Sequence, residues 1–270
     1  NHVLVQTTWY YDSNSKLTGS GTLASPYGLG QLPTVKAKLT AGNVISLVAG
    51  SSLSLQAGDI TGKYVVGPTT GTATLSITGL TSSTDVSHVD ASSALNVIAL
   101  VTGSVDLSSN STLVGVIDEF DIASAKTLTL SAAQVTGHVV TGLTPNGGVI
   151  GYGNLVVKDC LATTNLGSLN SNVGLSLEFT GSGPSNGANL TDSSWTSIVN
   201  KLVTGSKVQI DTGASLTIGN TLASITGVGS VTLVDPTESV IGNTVSGLNV
   251  TAVFNQSTDV AGFNDISAVD

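Results

Sequence analysis

From Ala41 onward, short apolar segments alternate with glycine, asparagine, serine or aspartate. In the stretches TLTL, TLSI and SLTI, leucine or isoleucine alternates with threonine or serine. This period of two places one set of side chains on each face of a strand. Turn-forming residues recur every 8 to 15 positions in this part of the chain. Short strands at such regular spacing predict an all-β fold.

The strand pattern also repeats itself. SLSLQAGDITGKYVVG (residues 52–67) recurs as TLTLSAAQVTGHVVTG (residues 127–142), 75 positions later. A looser third copy occupies residues 215–235, with Thr226 and Gly227 aligned to the Thr-Gly pairs of the first two copies. Such self-similarity indicates units that bury their apolar faces against one another. We therefore expect a repetitive β-solenoid-like array with coils of about 20 residues, and a string of small tandem β-sandwich modules is the alternative.

The repeats suggest boundaries along the chain. Residues 1–40 are rich in aromatic residues, glycine and proline, and we interpret them as an N-terminal cap or docking segment. Repeat unit 1 is expected at 41–115, unit 2 at 116–206, and unit 3 at 207–270. Unit 3 is expected to be truncated, because its last residues resemble an earlier segment that leads into the next strand.

Two features concern the chain ends. STDVAGFNDISAVD, which ends at Asp270, resembles STLVGVIDEFDIAS (residues 111–124), after which the alternating strand of unit 2 follows. We therefore expect the natural polypeptide to continue beyond Asp270. The sequence contains no methionine, so we expect Asn1 to follow a removed signal peptide or a longer preceding segment.

One segment departs from the strand pattern. In LTDSSWTSIVNKLVTGS, apolar residues recur at helical spacing from Trp195 to Val203. Asp192 or Ser193 is suited to cap the start of a helix, and Gly205 lies just past its end. The spacing predicts one short α-helix near residues 193–204, packed by its apolar stripe.

Composition narrows the possible partners. Hydrophobic residues make up 40% of the chain but aromatic residues only 4%, so we expect a core of small branched side chains. Charged residues make up 9%, against roughly 25% in ordinary soluble domains. The net charge of −9 and the absence of arginine argue against nucleic acid as a partner. No apolar run is long enough for a membrane span, and one cysteine excludes an intramolecular disulfide framework.

Candidate chemistry is sparse. The acidic cluster Asp118, Glu119 and Asp121 offers carboxylates of the kind that bind Ca²⁺, so it is the candidate metal site, although a solvated loop edge is the alternative. His138 occupies the position of Lys63 in the first copy, which predicts an exposed position rather than a catalytic one. Cys160 follows an apolar strand and is expected to be buried. We find no catalytic constellation, and expect no enzyme activity and no cofactor other than structural calcium.

The units ASAKTLTLSAAQVTGHVVTG and AGSSLSLQAGDITGKYVVG resemble repeats of large bacterial cell-surface proteins, namely S-layer proteins and giant repetitive adhesins. The resemblance covers about residues 41–270. It implies an extracellular, surface-attached structural protein whose partners are copies of itself, forming a layer, fibre or stalk. A second hypothesis is an adhesin or phage-fibre-type segment that binds surface glycans. A third is a β-helical polysaccharide-degrading enzyme, and the absence of arginine argues against it.

Overall fold

The computed structural model describes residues 6–142, 153–221, 223–236 and 247–255. The first eight strands are β1 (Thr7–Asp12), β2 (Tyr27–Gly28), β3 (Asn43–Leu47), β4 (Ser52–Gln56), β5 (Tyr64–Val66), β6 (Ala73–Thr78), β7 (Leu95–Val101) and β8 (Val105–Asp106). The next six are β9 (Glu119–Ile122), β10 (Thr127–Ser131), β11 (Val139–Gly142), β12 (Gly153–Lys158), β13 (Val173–Phe179) and β14 (Ala188–Asn189). The remaining strands in the described ranges are β15 (Lys207–Ile210), β16 (Ser215–Ile218), β17 (Ser224–Gly227), β18 (Ser230–Val234) and β19 (Asn249–Val253).

Short helices interrupt these strands. The α-helices are α1 (Leu32–Lys38), α2 (Ala57–Ile60), α3 (Ala132–Val135) and α4 (Thr196–Val199). Single 3₁₀ turns occur at Leu29–Gln31, Ser111–Leu113 and Ser193–Trp195. Helices α2 and α3 follow directly on β4 and β10, and each begins with a capping box, in which the N-cap and the third helical residue satisfy each other's backbone N–H groups.

The strands form four sheets, and all their pairings are parallel. The first sheet has the order β2-β1-β3-β5, the second β11-β9-β7-β6-β4, the third β17-β15-β13-β12-β10-β8, and the fourth β14-β16-β18-β19. Four parallel sheets of four to six strands with a few short helices are an α/β-type layout. The expectation of an all-β solenoid-like array with one short helix is therefore wrong, and so is its alternative of tandem β-sandwich modules.

Both errors have a physical origin. Alternating residues identify a strand, but they carry no information about which strand lies beside it or in which direction it runs. The segments AGDI and AAQV were included in the repeated strand pattern, but they form capped helical turns. Sandwich modules are built from antiparallel strands, whereas every strand pair described here is parallel.

The repeats interlock across the sheets. In the first copy, β3 and β5 lie in the first sheet, while β4, β6 and β7 lie in the second. The same order recurs one sheet further along, with β9 and β11 in the second sheet and β10, β12 and β13 in the third. The third copy adds β15 and β17 to the third sheet, and β16, β18 and β19 to the fourth. Each of the two central sheets thus combines strands of two consecutive copies. The unit boundaries at 41–115, 116–206 and 207–270 stay a prediction.

Registers confirm that the copies correspond residue by residue. Leu53 pairs with Leu75 in the second sheet, and Leu128, 75 positions after Leu53, pairs with Leu155 in the third. All four side chains are almost fully buried. They belong to one continuous apolar core made mainly of valine, leucine and isoleucine, and burial of each such side chain contributes about 1.5–3 kcal/mol.

The third copy is aligned differently from the sequence-based expectation. Gly62 and Gly137 follow α2 and α3 in left-handed turns, with φ of 66° and 81°. Gly227 instead ends β17, and its neighbour Ile225 pairs with Val208. Strand β17 is therefore the counterpart of β5 and β11, and the Thr-Gly pair of the third copy lies inside a strand rather than before one.

The predicted helix at 193–204 is shorter than expected. The 3₁₀ turn Ser193–Trp195 leads into α4, which ends at Val199. Asp192 caps the turn by accepting a hydrogen bond from the backbone N–H of Ser194 at 2.8 Å, and Trp195 is buried as predicted. The helix stops early because the chain must reverse at Gly205, where φ is 92°, to enter β15.

Strand β1 incorporates the N-terminal segment into the first sheet. Trp9 and Tyr11 point to the core side of β1 by strand alternation, and Tyr11 is only 2% exposed. The Trp9 ring stacks on Tyr27 with centroids 5.9 Å apart, and the Lys38 ammonium lies 4.1 Å from the Trp9 ring centre. These ring contacts lie within the segment, and the parallel pairing of β1 with β3 joins it to the first repeat. Its assignment as a separate cap or docking segment, residues 1–40, stays a prediction.

Candidate functional site: a polar groove on the third sheet

The outer face of the third sheet carries ordered rows of polar side chains. One row runs Thr129, Val156, Ser176, Lys207 and Ser224 across five strands. The next row runs through Ser131, Lys158, Glu178, Gln209 and Thr226. These positions alternate with the buried core residues of the same strands, so they are presented outward.

Two adjoining cavities form a groove over this face. The larger, of about 570 Å³, lies between the start of β13 and residues 200–206. The smaller, of about 330 Å³, continues along the sheet towards β17. The cavities share four lining residues: Asn154, Gly174, Leu175 and Gly205. We call the combined space the amide groove, after its polar lining of Asn154, Asn170, Asn200, Lys201, Lys207 and Gln209.

Gly174 opens the centre of the amide groove. It pairs with Asn154 across β12 and β13, and a Cβ atom at position 174 would lie 2.6 Å from the Asn154 Oδ1 atom. In the second sheet, the register places Asn96 at the position corresponding to Gly174, because Val97 and Leu175 hold equivalent places in β7 and β13. The Asn154 amide therefore lies over Gly174, in space that a side chain at position 174 would need.

Several polar groups of the groove have uncommitted hydrogen-bonding capacity. The side chains of Asn154 and Asn200 make no hydrogen bond to another described residue, although each amide has two donors and an acceptor. Lys201 donates to the backbone carbonyl of Leu169 at 3.4 Å. Within the described ranges, ion pairs occur only at Lys36–Asp59 and Lys158–Asp106, so Lys201 and Lys207 are not paired with a carboxylate.

The charge of the groove is asymmetric. Lys158 forms a 2.9 Å ion pair with Asp106, and the hydrogen bond that its ammonium donates to that carboxylate raises the pKa of Lys158. The pKa of Glu178 is also raised, first by burial and then by Asp211 and other nearby carboxylates, although Lys158 opposes this shift. Glu178 lines only the smaller cavity, whereas Lys201 lines only the larger. The larger cavity is therefore the more cationic end of the groove.

The predicted calcium ligands lie elsewhere and are only partly brought together. Glu119 and Asp121 share the outer face of β9, and both accept hydrogen bonds from the Thr141 hydroxyl. Burial, the charge of Asp121 and their mutual hydrogen bond raise the pKa of Glu119. Asp118 precedes β9, is exposed, and accepts the backbone N–H of Val97 at 2.8 Å. No group of three metal-binding side chains occurs among the described residues, and the calcium site stays a prediction.

His138 differs from the exposed position expected of it. Its ring packs edge-to-face against Phe120, with centroids 6.2 Å apart. Its Nδ1 atom is buried without a hydrogen-bond partner, and burial lowers the pKa of the imidazole. Lys63, at the same place in the first copy, lacks such an aromatic neighbour because the counterpart of Phe120 is Ile45.

Cys160 is buried, as predicted. The side chain is fully inaccessible, and burial raises the pKa of its thiol to about 12. A thiol that remains protonated at neutral pH is a poor nucleophile and a poor metal ligand. Cys160 belongs to the apolar core and does not line the groove.

The sequence patterns gave no sign of the amide groove. Asn154, Asn170 and Asn200 are separated by many residues and belong to no repeated motif. One difference between the first two copies could have indicated the groove, because Asn96 in the first copy corresponds to Gly174 in the second. The two positions can be recognised as equivalent only once the strand register is known.

Comparisons with protein-family models, with curated proteins and with solved structures find no match for this chain. The resemblance to S-layer proteins and repetitive adhesins therefore stays a prediction. Among the described residues, no helix combines the length and the apolar character needed to cross a membrane.

Proposed function

We propose that the chain is an extracellular structural protein, without catalytic activity, that assembles with copies of itself into a surface layer, fibre or stalk. The observation that carries this proposal is the interlocking of the repeats, in which the second and third sheets each combine strands of two consecutive copies. In such an architecture each copy provides the edge on which the next one builds. Length can then be gained by adding copies, without altering the fold.

The proposed contact between molecules is a set of three exposed leucines on the N-terminal segment. Leu17, Leu23 and Leu29 are 79%, 66% and 55% exposed, so they are among the most exposed large apolar side chains in the described ranges. We call them the leucine patch. Exposed apolar groups of this kind are typical of interaction surfaces, since leaving them in water is unfavourable.

Local hydrogen bonds hold the segment that carries the leucine patch in a defined shape. The Gln31 side chain accepts hydrogen bonds from the backbone N–H groups of Gly19 and Gly28, at 2.7 and 3.0 Å, and donates to the Gly19 carbonyl. The N–H of Leu29 donates to the Ser15 carbonyl at 2.9 Å. A pre-organised apolar surface loses less conformational entropy when it binds.

A partly open strand edge accompanies the patch: beyond β2, the Tyr10 backbone N–H donates to the Gly21 carbonyl at 2.9 Å, and the start of β1 has no described strand beside it on this side. Strand β2 pairs with only the last two residues of β1, Tyr11 and Asp12, and no other described strand lies on that side of β1. Such an edge can accept a strand of another molecule. We propose that a second molecule of this chain binds at this edge, because within the chain each central sheet is already extended by strands of the next repeat.

The test is the oligomeric state of the wild type and of a triple variant, Leu17→Ser, Leu23→Ser and Leu29→Ser, measured by sedimentation velocity and electron microscopy. We expect concentration-dependent assembly of the wild type and a monomeric variant. The matched control, Val114→Ser with Val203→Ser, removes exposed apolar side chains outside the patch and should assemble like the wild type. A wild type that stays monomeric at all concentrations would overturn the proposal, and a fully assembling triple variant would exclude the leucine patch as the contact.

The amide groove favours a second candidate function, a segment that binds surface glycans. Its size lies within the range of about 300–1,000 Å³ typical of ligand sites. Amide and hydroxyl side chains, which both donate and accept hydrogen bonds, suit the hydroxyl groups of sugars. Selective binding on a glycan array would support this function, and the absence of any binding would exclude it.

A further inference from the structure

We infer that the amide groove binds an acidic oligosaccharide, with a sugar carboxylate beside Lys201 and sugar hydroxyl groups on Asn154 and Asn200. This inference rests on the second candidate function, glycan binding, and assigns to it a place and a ligand chemistry.

The first argument is the available space. Gly174 and Gly205 carry no side chain, and together with Asn154 they border both cavities. The groove therefore continues along the sheet instead of ending in one pocket. A continuous groove suits an elongated chain of sugar rings better than it suits a single small molecule.

The second argument is hydrogen bonding. The Asn154 and Asn200 amides both line the larger cavity, one from β12 and the other from the residue after α4, and neither is engaged by another described residue. Each can donate to one hydroxyl and accept from another. Val173, Leu175 and Val203 provide apolar lining in the same cavity, against which the C–H face of a sugar ring can pack.

The third argument is charge. The chain has eight lysines and a net charge of −9, yet two of those lysines border this groove and neither forms an ion pair with a described residue. A carboxylate ligand would give Lys201 the partner it lacks, and charge-assisted hydrogen bonds are stronger than neutral ones. Glu178 borders only the smaller cavity, so its end of the groove favours neutral hydroxyl groups over a second carboxylate.

The test is isothermal titration calorimetry with an oligosaccharide of uronic acids and with the same oligosaccharide after reduction of its carboxylates to alcohols. We expect the wild type to bind the acidic form at least tenfold more tightly, with an affinity that falls as salt increases. Lys201→Gln should remove this preference, and Asn154→Ala should weaken binding of both forms. Gly174→Val should abolish binding, because its side chain fills the groove.

Matched variants separate the possible failures. Lys63→Gln removes a lysine from the first copy and should bind like the wild type, and circular dichroism should confirm that each variant is folded. If the wild type binds glycans but the groove variants bind equally well, the inference is wrong while glycan binding survives. Equal affinity for the reduced form would overturn the carboxylate assignment. If neither form binds but the array shows binding to other glycans, the inference alone is overturned. If the array shows no binding to any glycan, the second candidate function is excluded as well.

Discussion

The carboxylate of Asp159 holds Thr180, the residue that follows the neighbouring strand. Asp159 directly follows β12 in a left-handed conformation with φ of 50°, and it accepts hydrogen bonds from the Thr180 backbone N–H at 3.0 Å and from its hydroxyl at 3.0–3.1 Å. The same arrangement recurs in the third copy, where Asp235 has φ of 46° and accepts the backbone N–H of Asn255 at 2.7 Å. In the first copy Gly79 takes this position, with φ of 69°.

Replacing Asp159 by glycine tests whether the hydrogen bonds outweigh the backbone strain. Asp159→Gly relieves a left-handed conformation that costs about 1 kcal/mol in a residue with a side chain. It also removes an ionised acceptor whose hydrogen bonds contribute about 1.5–3 kcal/mol. We expect a net loss of about 1–2 kcal/mol in the free energy of unfolding, measured by urea denaturation. Asp159→Asn keeps one acceptor oxygen and should lose less stability. An unchanged or increased stability of Asp159→Gly would show that the hydrogen bonds to Thr180 do not outweigh the backbone strain.

Ala125 offers the opposite test, because its side chain has no polar atom whose hydrogen bonds could offset the strain at this position. Its φ is 57°, and the corresponding residues of the first and third copies, Gly50 and Gly213, have φ of 77° and 79°. Alanine in this conformation costs about 1 kcal/mol relative to glycine, and the greater freedom of glycine in the unfolded chain reduces the gain. We expect Ala125→Gly to raise the free energy of unfolding by up to about 1 kcal/mol.

The reverse change, Gly50→Ala, is the matched control and should lower the stability by a similar amount. Both variants can be compared by thermal denaturation, with the wild type measured under the same conditions. Destabilisation by Ala125→Gly would show that the alanine methyl group makes a favourable contact that exceeds its strain.

The strands themselves were largely predictable from the sequence. Alternation in SLSL and TLTL gave β4 and β10, and the 75-residue offset gave the correspondence of Leu53 with Leu128. These predictions succeeded because a strand with one buried face must alternate. The buried state of Cys160 and Trp195 followed from the same apolar patterns.

The arrangement of strands and the groove were not predictable in the same way. Sheet order depends on pairings between distant residues, such as Ala99 with Phe120, and a periodic pattern carries no label for its partner. The groove depends on one glycine opposite one asparagine, at a register that only the assembled sheet defines. The helical turns α2 and α3 were missed because four residues are too few to show a helical period.

The paired carboxylates of Glu119 and Asp121 should make stability depend on pH. The pKa of Glu119 is raised above its ordinary value of 4.5, so the folded state disfavours the ionised side chain relative to the unfolded state. The free energy of unfolding should therefore fall as the pH rises from about 4.5 through the raised pKa. Glu119→Gln cannot ionise, and it should become more stable than the wild type across this interval by roughly 0.5–1 kcal/mol.

Asp85 provides a control of opposite sign. Hydrogen bonds from Ser87 lower its pKa below the ordinary value of 3.8, so its contribution to stability is present above that value and is lost as the pH falls through the lowered pKa. Asp85→Asn should therefore be less stable than the wild type at neutral pH and should approach it in acid. Thermal denaturation across the acidic range measures both differences. If the stability of Glu119→Gln and that of the wild type change with pH in the same way, the proposed repulsion between the two carboxylates is ruled out.

Cys160 should report on opening of the core next to the end of β12. With a pKa of about 12, only about one thiol in ten thousand is ionised at pH 8, and the fully buried sulfur is also shielded from reagents. We expect the native protein to resist a thiol reagent such as dithiobisnitrobenzoate at pH 8, and to react with one equivalent when it is unfolded in urea. Leu161→Cys in a Cys160→Ala background places the thiol at a neighbouring position whose native side chain is 38% exposed, and it should react rapidly without denaturant. Rapid labelling of native Cys160 would mean that this part of the core opens readily in solution, and the packing described around β12 and β13 would then have to be revised.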